Sequence, residues 1–332
     1  MVQTGAHIER YEFADGVRLS SIEFDVDGYD IYHGTAGDDV VTGVRTDGYK
    51  ALKINGDKGN DTLIAAKSVL PDGITDSGNQ FLYGREGSDT YVIGKNTGDV
   101  RISAYAEAED MGTDTVRFTD LTLADLTVRT SEAGPESSWY GALTFDWAGE
   151  GALTVQTGAH IERYEFADGV RLSSIEFDVD GYDIYRGTAG DDVVTGVRTD
   201  GYKALKINGD KGNDTLIAAK SVLPDGITDS GNQFLYGREG SDTYVIGKNT
   251  GDVRISAYAE AEDMGTDTVR FTDLTLADLT VRTSEAGPES SWYGALTFDW
   301  AGEGALTVQT DAHIERYEFA DGVRLSSIEF DV

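Results

Sequence analysis

The chain has 332 residues, of which 60 are Asp or Glu and 27 are Lys or Arg, giving a formal net charge of −33. So large an acidic excess repels nucleic acid and anionic membranes, and neither is expected as a partner. With 41 Gly, 4 Pro and no Cys, the composition suits many short strands joined by glycine turns and excludes disulfides as a source of stability.

The chain opens with Met1-Val2-Gln3-Thr4, which lacks the basic-then-apolar pattern of a signal peptide. No stretch approaches the ~20 apolar residues that span a bilayer. The run VQTGAHIERYEFADGVRLSSIEFDV, starting at Val2, returns at Val155 and again, as VQTDAHIERYEF, at Val308, at an offset of 153. The copies differ at His33 against Arg186, and at Gly5 and Gly158 against Asp311. Near-identity over this length implies recent duplication. It disfavours a single active site, whereas arrays that provide length or valency commonly repeat in this way. We place the module starts inside VDGYDIY, so that residues 1–27 are the tail of a preceding repeat, 28–180 the first module and 181–332 the second. A register starting at Val2 remains open. Because the chain opens and closes in the same motif, it reads as an excised piece of something longer.

Taken in chain order, three segments of the first module share the spacing G-x-x-G-x-D-x-U, where U is large and apolar. They are GTAGDDVV from Gly34, GDKGNDTL from Gly56 and GREGSDTY from Gly84. This is the pattern of calcium-binding nonapeptide repeats in parallel β-helical proteins. The glycines permit positive φ and let carbonyl oxygens point inward. The Asp supplies a hard anionic oxygen suited to calcium, and U fills the core. A fourth turn, MGTDTVRF, keeps Gly112, Asp114 and Val116 in phase. The competing reading is ordinary Gly-Asp turns without metal.

The starts lie 22 and 28 residues apart. A full coil of two nonapeptides takes 18, so insertions are expected at 43–46 and 65–74, with a degenerate half-turn between each pair. DGYKALKIN at 47–55 carries Leu52 in the acid slot and keeps Ile54 as U. TDSGNQFLY at 75–83 keeps Gly78 and Leu82 but carries Gln80, and the half-turn near Gly98 carries Val100. The expected fold is therefore all-β: a parallel β-roll with calcium-binding turns on one side, capped by antiparallel strands or a hairpin, in two tandem near-identical modules. The other side is expected to have lost its acids.

The expected metal ligands are Asp39, Asp61, Asp89 and Asp114, and in the second module Asp192, Asp214, Asp242 and Asp267. Backbone carbonyls would join them from the turns at Gly34, Gly37, Gly56, Gly59, Gly84 and Gly87, and at Gly187, Gly190, Gly209, Gly212, Gly237 and Gly240. About two to three Ca2+ ions per module are expected, each between successive turns.

These residues resemble the haemolysin-type, or RTX, calcium-binding repeats of Gram-negative secreted proteins. The likeness continues through SDTYVIGKNTGDVRI, GTDTVRFTDLTLADLTV and IERYEFADGVRLSSIEF, and so covers most of each module. It departs at Val100 and at the two insertions. The resemblance implies secretion by a type I system, with an uncleaved C-terminal signal that is not visible in this stretch.

Two further features are weighed. In SSWYGALTFDWAG, Trp139, Leu143, Phe145 and Trp147 fall on one face of a strand. A strand covering the end of the roll is the plainer reading and an aromatic platform for sugar rings the sharper one, with Tyr140 and Asp146 on the opposite face. AYAEAED at 104–110 is expected to be a loop. His7, His33, His160 and His313 are isolated, and no nucleophile–His–acid set, HExxH or phosphate-cradling loop is found, so no enzyme is expected. The expected function is a calcium-dependent spacer in a secreted, cell-surface adhesin or exoprotein, partnered by calcium and neighbouring repeats. A polysaccharide- or cell-binding module, and the non-catalytic tail of a secreted enzyme or toxin, are the alternatives.

Overall fold

The computed structural model describes residues 10–44, 51–67, 79–103, 112–131, 142–147, 150–179, 182–197, 204–220, 232–256, 265–284, 294–300, 304–309 and 312–326. It divides into two compact units, Met1–Asp168 and Gly169–Val332. Each is a parallel β-roll.

In the first unit the strands are β1 (Tyr11–Glu12), β2 (Arg18–Leu19), β3 (Ser21–Val26), β4 (Tyr29–His33), β5 (Val40–Thr42), β6 (Ala51–Lys58), β7 (Thr62–Ile64) and β8 (Gln80–Glu86). They continue with β9 (Thr90–Ile93), β10 (Val100–Ile102), β11 (Asp114–Phe118), β12 (Thr127–Ser131), β13 (Ala142–Asp146), β14 (Ala152–Gln156) and β15 (Ile161–Glu165). Single 3-10 turns at Lys95–Thr97, Leu123–Asp125 and Thr157–Ala159 are the helical pieces among the described residues of this unit.

The chain winds alternately through two sheets. In the first, β4, β6, β8, β10 and β14 are parallel neighbours. In the second, β5, β7, β9, β11 and β15 are parallel neighbours. Period-two sequences such as Leu52-Lys53-Ile54 and Val100-Arg101-Ile102 send alternate side chains inward. Leu52, Ile54, Leu82, Ile102 and Leu153 from one sheet meet Val41, Leu63, Ile93 and Val116 from the other, all fully buried. Burial of this kind contributes about 1.5–3 kcal/mol per large side chain, and here it holds the sheets together.

Antiparallel strands close the first sheet at both ends. β3 pairs with β4, and β12 and β13 return as a meander onto β14. Phe118 stacks on Phe166 at 5.1 Å, and Phe145 lies 5.3 Å from Phe118 and 5.4 Å from Tyr164, giving an aromatic plug at that end of the core. Phe145 and Trp147 are buried, and the Trp147 indole N–H donates to the Lys95 carbonyl at 3.1 Å. These two rings therefore belong to the core and not to an exposed platform. Trp139, Tyr140 and the 104–110 segment lie outside the described residues.

The expected module start at 28 falls in the turn between β3 and β4, and 181 lies outside the described residues. Ser21 faces His33 across β3 and β4, and Ser174 faces Arg186 in the second unit, so these strands join the sheet that follows them. The two compact units meet at 168/169, and residues 10–27 are part of the first of them.

On the second side of the coil, register aligns Asp30, Leu52, Gln80, Val100 and Leu153 in one column. The acid slots read as Leu52, Gln80 and Val100 are thus apolar or neutral. One acid remains, however: Asp30, 1% exposed, corrects the expectation that this side has none. Gln80 is completely buried and acts as a neutral clamp. Its amide oxygen accepts from Ala66 N–H at 2.7 Å, and its amide nitrogen donates to the Ala66 and Thr97 carbonyls at 2.8 and 2.6 Å. Gln233 repeats this with Ala219 and Thr250. Replacing both glutamines by Leu would match the neighbouring column residues but strand three backbone groups in each unit. Each stranded group costs about 1–3 kcal/mol, partly offset by apolar burial. The urea midpoint is expected to fall by an amount equivalent to ~2–4 kcal/mol per unit; an unchanged midpoint would show that the clamp contributes nothing.

Candidate metal centre

The turns between β4 and β5, β6 and β7, and β8 and β9 stack on the first side of the roll. Their glycines are dictated by crowding. Gly59 and Gly87 have φ of +111° and +123°, and a side chain on Gly87 would strike the Gly59 carbonyl. Asp57 and Arg85 hold φ of 86° and 84°, a conformation that L side chains rarely adopt, so the turns carry local strain.

Two side-chain ladders stitch these turns together. In the inner one, Asp39 N–H donates to Asp61 Oδ1, Asp61 N–H to Asp89 Oδ1 and Asp89 N–H to Asp114 Oδ1, each at 2.9 Å. The rungs are 22, 28 and 25 residues apart in sequence, so the insertions do not disturb the stack. Asp114 N–H then donates to Glu162 Oε2 at 2.7 Å, which adds a fifth rung. In the outer ladder, Asn60 N–H donates to Asp38 Oδ1, Ser88 N–H to Asn60 Oδ1 and Thr113 N–H to Ser88 Oγ, each at 2.8 Å. The second unit repeats the inner ladder through Asp192, Asp214, Asp242, Asp267 and Glu315.

Asp61, Asp89 and Asp114 thus each use one oxygen to receive the preceding rung's amide, whereas Asp39, at the first rung, receives none from a neighbouring rung. The fate of the second oxygen differs along the ladder. Asp39 Oδ2 accepts from the backbone N–H and hydroxyl of Thr35, and Asp114 Oδ2 accepts from the Tyr91 hydroxyl at 3.3 Å. Asp61 Oδ2 and Asp89 Oδ2 are buried with no partner, as are Asp214 Oδ2 and Asp242 Oδ2. The four residues are at most 1% exposed. Burying an unpaired charged oxygen is costly, so such an atom points to something that completes it.

Glycines pack closely against these atoms. A Cβ on Gly56 would collide with Asp61 Oδ2 and lie 2.8 Å from the Gly84 carbonyl oxygen. One on Gly84 would collide with Asp89 Oδ2 and lie 2.6 Å from the Tyr91 hydroxyl. One on Gly34 would collide with the Gly56 carbonyl and lie 3.2 Å from Asp39 Oδ2. Of the glycines named from the sequence, Gly34, Gly56 and Gly84 border the carboxylates, while Gly59 and Gly87 pack against backbone of the preceding turn. Among the described residues no three or more His, Asp or Glu side chains converge into a metal-binding group. The acids stand one per rung in a line, so a cation there would draw the rest of its ligands from backbone oxygens.

Electrostatics agree with the geometry. Burial pushes the Asp61 and Asp89 carboxyls up to about 7; amide donation opposes this, and neighbouring carboxylates add to it. Asp114 is raised to about 6, first by burial and then by Glu162, against the lowering effect of the Asp89 amide. Asp214, Asp242 and Asp267 behave alike. Two unit charges one strand spacing apart, ~4.8 Å, repel by about 3 kcal/mol at an effective dielectric near 20. Only a proton or a cation relieves this. The hard, oxygen-only donor set fits calcium.

Sequence reasoning placed all eight aspartates in the two ladders. It missed Glu162 and Glu315, whose β-strand pairing is bulged beside Asp114 and Asp267. It also missed Asp30, although Gly28, Asp30 and Tyr32 carry half of the turn motif. His33 lies 3.8 Å from Glu23, and its counterpart Arg186 forms an ion pair with Glu176 at 2.9 Å.

No family model and no curated protein matches the sequence. Among solved structures, the chain is similar to the extracellular lipase LipA from Serratia marcescens at 18% identity, over 85% of this chain and 40% of that one, with a TM-score of 0.25. The chain therefore spans less than half of that lipase, and a likeness at this score carries no argument about activity.

The raised carboxyls make a prediction for the metal-free protein. Their folded pKa of about 7 lies above the unfolded value of about 3.9, so the folded state holds extra protons between these limits. Their contribution is fully present below pH ~4 and is lost as pH rises through about 7. In chelator, the melting temperature should fall from pH 5 to pH 8, and changing Asp61, Asp89, Asp214 and Asp242 to Asn should flatten that slope. A melting temperature that rises over this range would contradict the assignment.

Proposed function

We propose that this chain is a calcium-dependent structural repeat of the haemolysin type, a spacer in a secreted cell-surface protein, with no catalytic role of its own. The observation that carries the reading is the set of four buried, unpartnered carboxylate oxygens on Asp61, Asp89, Asp214 and Asp242 beside glycine turns. Calcium would supply the positive charge that lets neighbouring rungs stay ionised and stacked. The chain's own residues do the rest. Amides hold each carboxylate in line, glycines leave room for close approach, and the apolar U positions anchor the turn to the core.

Linkage makes folding conditional. A ligand that binds only the folded state adds RT ln(1+[L]/Kd) to stability. Extracellular modules of this type bind at about 10⁻⁴–10⁻³ M, well above calcium levels inside cells. Each divalent ion also removes two negative charges from a chain carrying −33. Such a chain would be exported loosely folded and would set outside. Near-identical tandem units favour a role in reach or valency over chemistry.

A second reading, polysaccharide binding, has one observation in its favour. On the outer face of the first sheet Lys53 lies 3.8 Å over the Tyr29 ring, Tyr29 meets Phe81 edge-on at 5.8 Å, and Arg101 lies 5.8 Å over Phe81. Tyr182, Lys206, Phe234 and Arg254 repeat the stripe. A glycan array separates the two readings, since a spacer binds nothing on it.

The primary test is removal of the metal. Adding EDTA at neutral pH should abolish most of the β circular-dichroism signal or lower the melting temperature by tens of degrees. Calcium should restore both, and sodium should not. Identical spectra and melting curves with and without chelator would end the proposal.

A further inference from the structure

The inner ladder is finished differently at its two ends and in its middle. At the first rung, the Thr35 amide and hydroxyl both donate to Asp39 Oδ2, the hydroxyl at 2.7 Å. At the fourth rung, the buried Tyr91 hydroxyl accepts from Gly84 N–H at 3.1 Å and donates to Asp114 Oδ2 at 3.3 Å. Tyr91 occupies the U position of its turn. The other turns place Val41 and Leu63 there, which carry no hydroxyl. Thr188 and Tyr244 make the same contacts to Asp192 and Asp267. Between these ends, Asp61 and Asp89, with Asp214 and Asp242, are the carboxylates left with an unpartnered buried oxygen.

We propose that Thr35 and Tyr91, with Thr188 and Tyr244, are hydroxyl end-caps that confine cations to the two inner rungs of each ladder, one ion at each unpartnered carboxylate oxygen, so that the chain takes four ions and not six. The inference rests on the calcium reading above and adds to it which carboxylates are ligands and which are not. A carboxylate oxygen that already receives donors, two on Asp39 Oδ2 and one on Asp114 Oδ2, has less to gain from a cation that must displace them, whereas an oxygen with none gains the full interaction. The Tyr91 ring is buried in the core, so its hydroxyl is delivered to the ladder by packing alone. Thr35 achieves the same from within the turn, where the other two turns carry Asp57 and Arg85 at positive φ. Tyr91 and Thr35 are positioning residues here; they hold Asp114 and Asp39 in a satisfied state.

The test is the count of bound calcium on the full chain, by native mass spectrometry with calorimetric titration as a check. Wild-type protein should saturate at four ions. D39N/D192N and D114N/D267N should each keep four, and D61N/D214N should fall to two. Y91F/Y244F keeps the rings but frees Asp114 and Asp267, and should rise to six. Six ions on the wild type, loss of ions in either end variant, or a count of four in Y91F/Y244F would each overturn the end-cap assignment. If Y91F/Y244F does not fold, the wild-type count and the two end variants decide. No ions at all on a folded wild-type chain would overturn the calcium reading itself, a result distinct from any of these.

Discussion

A parallel coil places residue above residue at one strand spacing, and every other feature of this protein answers to that repetition. For Leu52, Leu82 and Leu153 on the inner face, repetition is favourable, because like apolar side chains fill the same volume in each layer. For aspartates it is unfavourable: Asp39, Asp61, Asp89 and Asp114 are stacked by the same register, with mutual repulsion of several kcal/mol across the column. The amide of each rung relieves half of the difficulty by donating to the next carboxylate. The remaining oxygens define the site, and the glycines that border them define its size.

The two sides of the coil solve the same geometric problem by different chemistry. On the second side, the column runs through Asp30, Leu52, Gln80, Val100 and Leu153, and its central polar member is neutral. Gln80 satisfies three backbone groups with one uncharged amide, a bond set that needs no ion and tolerates any calcium level. The first side uses charge where the second uses an amide. One edge of the roll is therefore constitutively joined, while the other is joined only when the charge is compensated.

How much of this was legible in the residues follows from how local each signal is. The G-x-x-G-x-D-x-U turns, the alternation of their flanking strands and the lopsidedness of the coil lie within nine to eighteen residues, and all eight ladder aspartates could be named from spacing. Glu162 could not, because it reaches the ladder across 48 residues and an antiparallel meander, and its column position is produced by a bulge. Asp30 stood in half a motif, without the leading glycine. Thr35 and Tyr91 read as an ordinary turn residue and an ordinary core aromatic, since only coordinates reveal where their hydroxyls point. The partner of β3 was not legible for a related reason. A strand such as Ser21–Val26 has the same alternation whichever sheet it joins, and its partner is chosen by the tight Asp27-Gly28 turn, where φ is 52° and 84°.

Duplication has a consequence for charge that the single unit would not show. If the aspartate column were open at its ends, adding modules would lengthen one like-charged stack, and repulsion would grow with the array. Here each column is finite. It begins at Asp39 against Thr35 and ends at Glu162, whose side chain is exposed and can be solvated, and the second unit starts afresh at Asp192 against Thr188. The acidic rungs therefore come in closed sets, each balanced within its own unit. Each unit therefore meets its own column's repulsion with its own residues.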